Sequence, residues 1–185
     1  MGVALGGLIA LAAAMGVGRF VYTPILPFME ESLGLTKAES GILASVNFLG
    51  YLLGAFAASA SVFSGGRRFW FLAGLAASAL TTGAMGLTSS MEIFLGLRFA
   101  GGVASAFVLV FASALILDRL AVAGRSGLAG LHCYGVGFGI AESAILVAGL
   151  AIYGVAWKEM WLASGALSMV AFIMEALMVA GERDT

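Results

Sequence analysis

Apolar residues run through this chain in long stretches, cut by short joints rich in charge and turn residues. A helix needs roughly 20 apolar residues to cross a bilayer. By that measure the pattern predicts six spanning helices, at about 3–29, 40–63, 69–88, 91–117, 127–153 and 157–180. The joints between them read EESLGLTKAE, SGGRR, TSS, DRLAVAGRS and GVAWKE, and the tail reads GERDT. None is long enough to hold a soluble domain, so residues 1–185 are read as one six-helix transmembrane bundle. The fold class expected is all-α, membrane-embedded.

Composition makes the membrane reading firm. The chain is 62% hydrophobic and 10% charged. Soluble domains run near 25% charged, so a water-surrounded core cannot absorb this much apolar surface and the lipid bilayer becomes the expected partner. Net charge is -1, which gives no basic footprint for nucleic acid. No Lys or Arg precedes Arg19, so the opening run lacks the basic start of a signal peptide and is expected to stay as the first span. The single Cys, Cys133, sits in an apolar run and reads as a packing residue. His132 stands beside it without a second histidine or a cysteine cluster, so no metal or cofactor site is expected.

Loop charge suggests an orientation. With the N-terminus inside, the inner joints and tail hold Arg67, Arg68, Arg119, Arg125 and Arg183, against Lys37 and Lys158 outside. The positive-inside rule then puts both termini in the cytoplasm, in a plasma membrane such as the bacterial inner membrane. Trp157 and Trp161 at an outer joint, and Trp70 at an inner one, fit an aromatic belt.

Polar residues within the spans need a reason. They are Arg19, Asn47, Arg98, His132 and Glu142; His132 could relay protons, though a lone histidine more often packs, and Glu175 lies near the end of the last span, where snorkelling to the interface is the simpler reading. At 1.5 Å per residue, Arg19, Arg98 and Glu142 fall about 12–16 Å below the outer boundary. An arginine at that depth costs about 2.5–3.5 kcal/mol or more unless it faces water or a partner. The expectation is a shared wet interior lined by Arg19, Tyr22, Thr23, Asn47, Tyr51, Arg98 and Glu142. Glu142 would neutralise one arginine there, leaving a positive charge for an anionic or carboxylate-bearing small-molecule substrate. Pro24 and Pro27 each remove a backbone donor, so the first helix should bend or loosen near them. Gly50, Gly54, Gly102, Gly135 and Gly139 supply small surfaces for close helix packing. The run GVGFG lacks the strand and soluble helix that a nucleotide-binding loop requires.

Three stretches carry a family likeness. MGVGRFVYTPILPFM with NFLGYLLGAF resembles the opening of the YbfB/YjiJ family within the major facilitator superfamily of transporters. FLGLRFAGGVASAF resembles that superfamily's fourth-helix arginine motif, with Arg98 as its arginine and Gly102 as its later glycine. GLHCYGVGFGIAESAIL is similar to the family's glycine-rich fifth helix. The resemblance implies a secondary transporter that works by alternating access, with proton coupling expected by analogy only. It also implies a twelve-helix whole of two six-helix halves. This chain would be the N-terminal half: a fragment, a truncated product, or a half completed by a C-terminal half or a second copy. Two departures stand out. The loop SVFSGGRRF keeps the basic residues of the superfamily's gating loop without its acid, and Glu142 replaces an apolar residue. The alternative is a channel or a non-transporting membrane bundle. An intramembrane serine protease is disfavoured, because LASG lacks the first glycine of its motif and His132 precedes Ser164.

Overall fold

In the computed structural model, residues 2–60, 66–124 and 129–181 are described. The polypeptide forms six helices long and apolar enough to cross a membrane, with no strand among the described residues. The first, α1, occupies residues 2–33 in pieces: Gly2–Leu11, a π-helical segment Ala12–Val17, Gly18–Phe20 and Tyr22–Leu33. Then come α2 (Lys37–Ala58), α3 (Arg67–Ala84, extended by a 3-10 turn Met85–Leu87), α4 (Met91–Val122), α5 (Ala129–Ile152) and α6 (Trp157–Gly181).

Local chemistry explains the boundaries. Gly34 closes α1 in the left-handed region, at φ 67°, where its N–H donates to the Glu30 carbonyl at 3.0 Å. Thr36 and Glu39 then form a reciprocal capping box that starts α2. The α1–α2 joint is further fastened by the Glu30 carboxylate, which accepts from Lys37 Nζ at 2.6 Å and from Ser40 Oγ at 2.8 Å. Pro24 and Pro27 cannot donate to Phe20 and Thr23 four residues earlier, and the regular helix breaks at Val21, just before them.

Helix packing follows small residues. A methyl at Gly50 would overlap the Phe99 carbonyl, and one at Gly102 would overlap the Asn47 carbonyl, so α2 and α4 touch backbone to backbone. Gly135 and Gly139 do the same for α5 against Leu8 and Ala12 of α1. The pairs α1–α5 and α2–α4 thus correspond, with α3 and α6 packed on each other, as expected of three-plus-three inverted repeats within one half of such a bundle.

Two apolar clusters fill the interior. One gathers Leu11, Met15, Phe71, Leu75, Phe111 and Ile116; the other gathers Ile25, Met29, Leu43, Phe94, Met160 and Trp161. Every helix also buries polar groups: Arg19, Asn47, Ser78, Thr82, Arg98, Ser105, Ser143 and Ser164. Trp157 and Trp161 correct the aromatic-belt expectation, since both are buried in the bundle. Their indole N–H groups donate to Ser32 Oγ at 3.1 Å and to Met29 Sδ at 3.3 Å, tying α6 to the end of α1.

Candidate functional site

The candidate site lies where α1, α2 and α4 meet in the polar layer. Arg98 is brought there by α4, whose Gly102 lets α2 approach within backbone contact. Asn47 of α2 uses the closeness, its Nδ2 donating to the Arg98 carbonyl at 2.8 Å. The Arg98 Nε reaches the Leu43 carbonyl at 3.5 Å, and its guanidinium carbon lies 4.6 Å from the Tyr22 ring centre. Tyr22 is itself held, because its hydroxyl donates to the Ser40 carbonyl at 2.9 Å. The space beside Arg98 is about 10 Å³, enclosed by residues that include Gly18, Thr81, Thr82, Met85 and Trp161. That leaves room for about one water.

Arg19 projects from α1 toward α2 in a different setting. Its guanidinium carbon lies 4.0 Å from the Tyr51 ring centre, 4.5 Å from Phe48 and 5.4 Å from Phe20. The residue is 8% exposed, and Nε has no hydrogen-bond partner. Cation–π contacts contribute about 0.5–2 kcal/mol each. Two close ones therefore offset much of the roughly 2.5–3.5 kcal/mol that an arginine costs inside a membrane. The Tyr51 hydroxyl also pairs with the guanidinium, while Nε is left without an acceptor. Thr23, one turn further along α1, is exposed, as is Phe48 at 54%.

Glu142 does not join the arginines. It is half-buried in an apolar cleft of about 160 Å³ between α1, α5 and α6, with Ala13, Val17, Phe138 and Leu167 among its walls. Among the described residues it makes no ion pair with Arg19 or Arg98, so the expected neutralisation is corrected. The cause is a change of helical phase. A π-helical turn inserts one residue, which rotates the rest of the helix by about 100° relative to an uninterrupted one. Ala12 and Gly16 face α5, and in a plain α-helix Arg19, at i+7 and i+3, would share their face. The π-helical turn Ala12–Val17, which contains both, ends just before Arg19, and Arg19 points toward Phe48 and Tyr51 of α2.

Of the other expected residues, Tyr51 meets Arg19, while Tyr22 and Asn47 meet Arg98; Thr23 is exposed. Gly50, Gly54, Gly102, Gly135 and Gly139 all sit at close helix contacts. His132 and Cys133 fall in α5, but their side chains lie outside the described residues. Glu175 corrects the snorkelling expectation: it is 4% exposed, and its carboxylate packs against Gly6 of α1, where a methyl would stand 3.3 Å from Oε1. The basic joint is braced by Arg67, whose Nη1 donates to Asp118 at 3.0 Å across an exposed surface. Phe48 was missed by sequence reasoning, although its i, i+3 spacing from Tyr51 in NFLGY marks a shared helix face. Ser40 was missed as well, because its partners Tyr22 and Glu30 belong to the preceding helix.

Comparison with known proteins sets this geometry in context. The profile of the family described as "Uncharacterised MFS-type transporter YbfB" matches residues 11–185. A protein described as "Uncharacterized MFS-type transporter YceJ", from Bacillus subtilis (strain 168), is 33% identical over 94 residues. That alignment covers 51% of this chain and 24% of the relative, so this chain spans only part of the relative's length.

Proposed function

The chain belongs to the YbfB-type family of major facilitator superfamily transporters, and from that premise we propose that it supplies the N-terminal half of a proton-coupled secondary transporter for a small solute. The six spans provide one bundle, and a C-terminal bundle or a second copy provides the other. The solute then binds between them near the middle of the membrane, and rocking of one bundle against the other exposes it to each side in turn.

The observation that supports this reading is the polar layer between two apolar clusters, with Arg19 at its α1–α2 edge. A bundle that only anchored itself in lipid would gain nothing from a buried guanidinium at mid-depth, since polar groups there are costly and mark solute pathways. In this arrangement Arg19, Thr23, Phe48 and Tyr51 line the solute's side. Tyr22, Asn47 and Arg98 hold α1, α2 and α4 in register behind them. Catalysis has no part in the proposal, and both termini are cytoplasmic in it.

Reconstitution into liposomes tests it. A transporter shows saturable uptake and counterflow, in which unlabelled solute inside accelerates entry of labelled solute. Flux that rises linearly with concentration and shows no counterflow supports the channel alternative and refutes the proposal.

A further inference from the structure

Two arginines share the polar layer, and their surroundings assign them different work. Arg98 is enclosed: its Nε is bonded to Leu43, its guanidinium is stacked on an anchored Tyr22, and the space beside it holds about 10 Å³. No organic solute fits there without repacking Trp161, which is 0% exposed. Arg19 is equally buried, but its cover is side-chain rings rather than helix backbone, and the outermost ring, Phe48, is 54% exposed. The Arg19 Nε donates to nothing, and among the described residues no carboxylate pairs with the guanidinium.

We propose that Arg19, and not Arg98, is the anion-binding group of the transporter proposed above, and that its ligand is an organic carboxylate with an apolar or aromatic body. The proposal rests on the transport reading for its direction of access and on the Arg19 surroundings for its chemistry. A planar guanidinium meets a carboxylate edge-on through two parallel N–H···O bonds, which leaves its faces to the rings. Phe48 and Tyr51 then offer apolar area to the body of the ligand. Inorganic phosphate fits less well, because the shell around Arg19 is mainly aromatic faces, with the Tyr51 hydroxyl as the donor beside it for the remaining oxygens. Arg98 acts as a positioning residue, holding α2 against α4 so that Tyr51 stays over Arg19.

Site-specific alkylation reads the site directly. Thr23→Cys is introduced with Cys133→Ser, and the full chain in lipid nanodiscs is alkylated with benzoate, benzamide or inorganic phosphate at constant ionic strength. Benzoate is expected to slow alkylation at least about threefold, and neutral benzamide to leave it unchanged. Arg19→Gln should abolish protection. Arg19→Lys, the variant that preserves charge and fold, should need roughly tenfold more benzoate, because it loses bidentate geometry. Arg98→Gln should lower the thermal midpoint and weaken protection while keeping the preference for benzoate over benzamide. Three results overturn the proposal: no benzoate protection, protection by phosphate alone, or protection that survives in Arg19→Gln and disappears in Arg98→Gln. Benzoate counterflow in liposomes separates the two levels. Protection without counterflow leaves the site standing and removes the transport reading. Counterflow of another solute without benzoate protection does the reverse.

Discussion

Replacing Gly102 by Ala tests the contact on which the whole α2–α4 face depends. The added methyl would overlap the Asn47 carbonyl and stand 2.8 Å from the Tyr51 nitrogen. Non-bonded heavy atoms prefer about 3.5–4.0 Å, so the second contact alone requires the helices to part by about 0.7 Å. Such overpacking costs about 1–3 kcal/mol. Separation also strains the bond from Asn47 Nδ2 to the Arg98 carbonyl, and interhelical hydrogen bonds of this kind average about 0.6 kcal/mol in membranes. Alanine's helix preference returns about 0.5–1 kcal/mol. The net loss is therefore about 1–3 kcal/mol. Gly137→Ala is the control: it gains the same preference, and nothing lies within 4 Å of its added methyl. Unfolding in mixed micelles, followed by far-ultraviolet circular dichroism against the mole fraction of SDS, measures the difference. If Gly102→Ala unfolds at the same or a higher SDS fraction than Gly137→Ala, the backbone contact is not tight and the packing argument fails.

Glu142→Gln should change stability by less than about 0.5 kcal/mol in the same assay, since no ion pair is lost; a larger fall would restore the pairing with an arginine. Glu30→Gln should weaken the bonds from Lys37 and Ser40 and raise protease cleavage at the α1–α2 joint; an unchanged cleavage rate would count against that fastening. Arg68→Cys, in a Cys133→Ser background, should resist a membrane-impermeant thiol reagent added to intact cells, and ready labelling from outside would reverse the proposed topology.

Much of this architecture was legible in the sequence because lipid imposes a simple rule. Backbone groups inside hydrocarbon must bond within a helix, so apolar length translates into spans almost residue by residue. The boundaries shifted mainly where caps intervene: Thr36 and Glu39 begin α2 at Lys37, earlier than the apolar run alone suggests. The small-residue contacts were readable too, since Gly50, Gly54, Gly135 and Gly139 repeat at four-residue spacing on single helix faces.

Depth along a helix could be counted from the sequence, and direction could not. Arg19, Arg98 and Glu142 were assigned one layer by helical rise, yet only Arg19 and Arg98 meet around α2. Counting faces assumes an unbroken 3.6-residue period, and nothing in the string AAAMGV announces the π-helical turn that breaks it. That turn is a tertiary choice, made where Gly16 must pass Gly139 of α5 and Gly18 must pass Ser78 of α3. By the sequence alone this protein was a six-helix membrane bundle with costly charges at mid-depth. Which helix Arg19 faces was decided by one inserted residue in α1, because a phase shift of about 100° carries a side chain from one neighbouring helix to another.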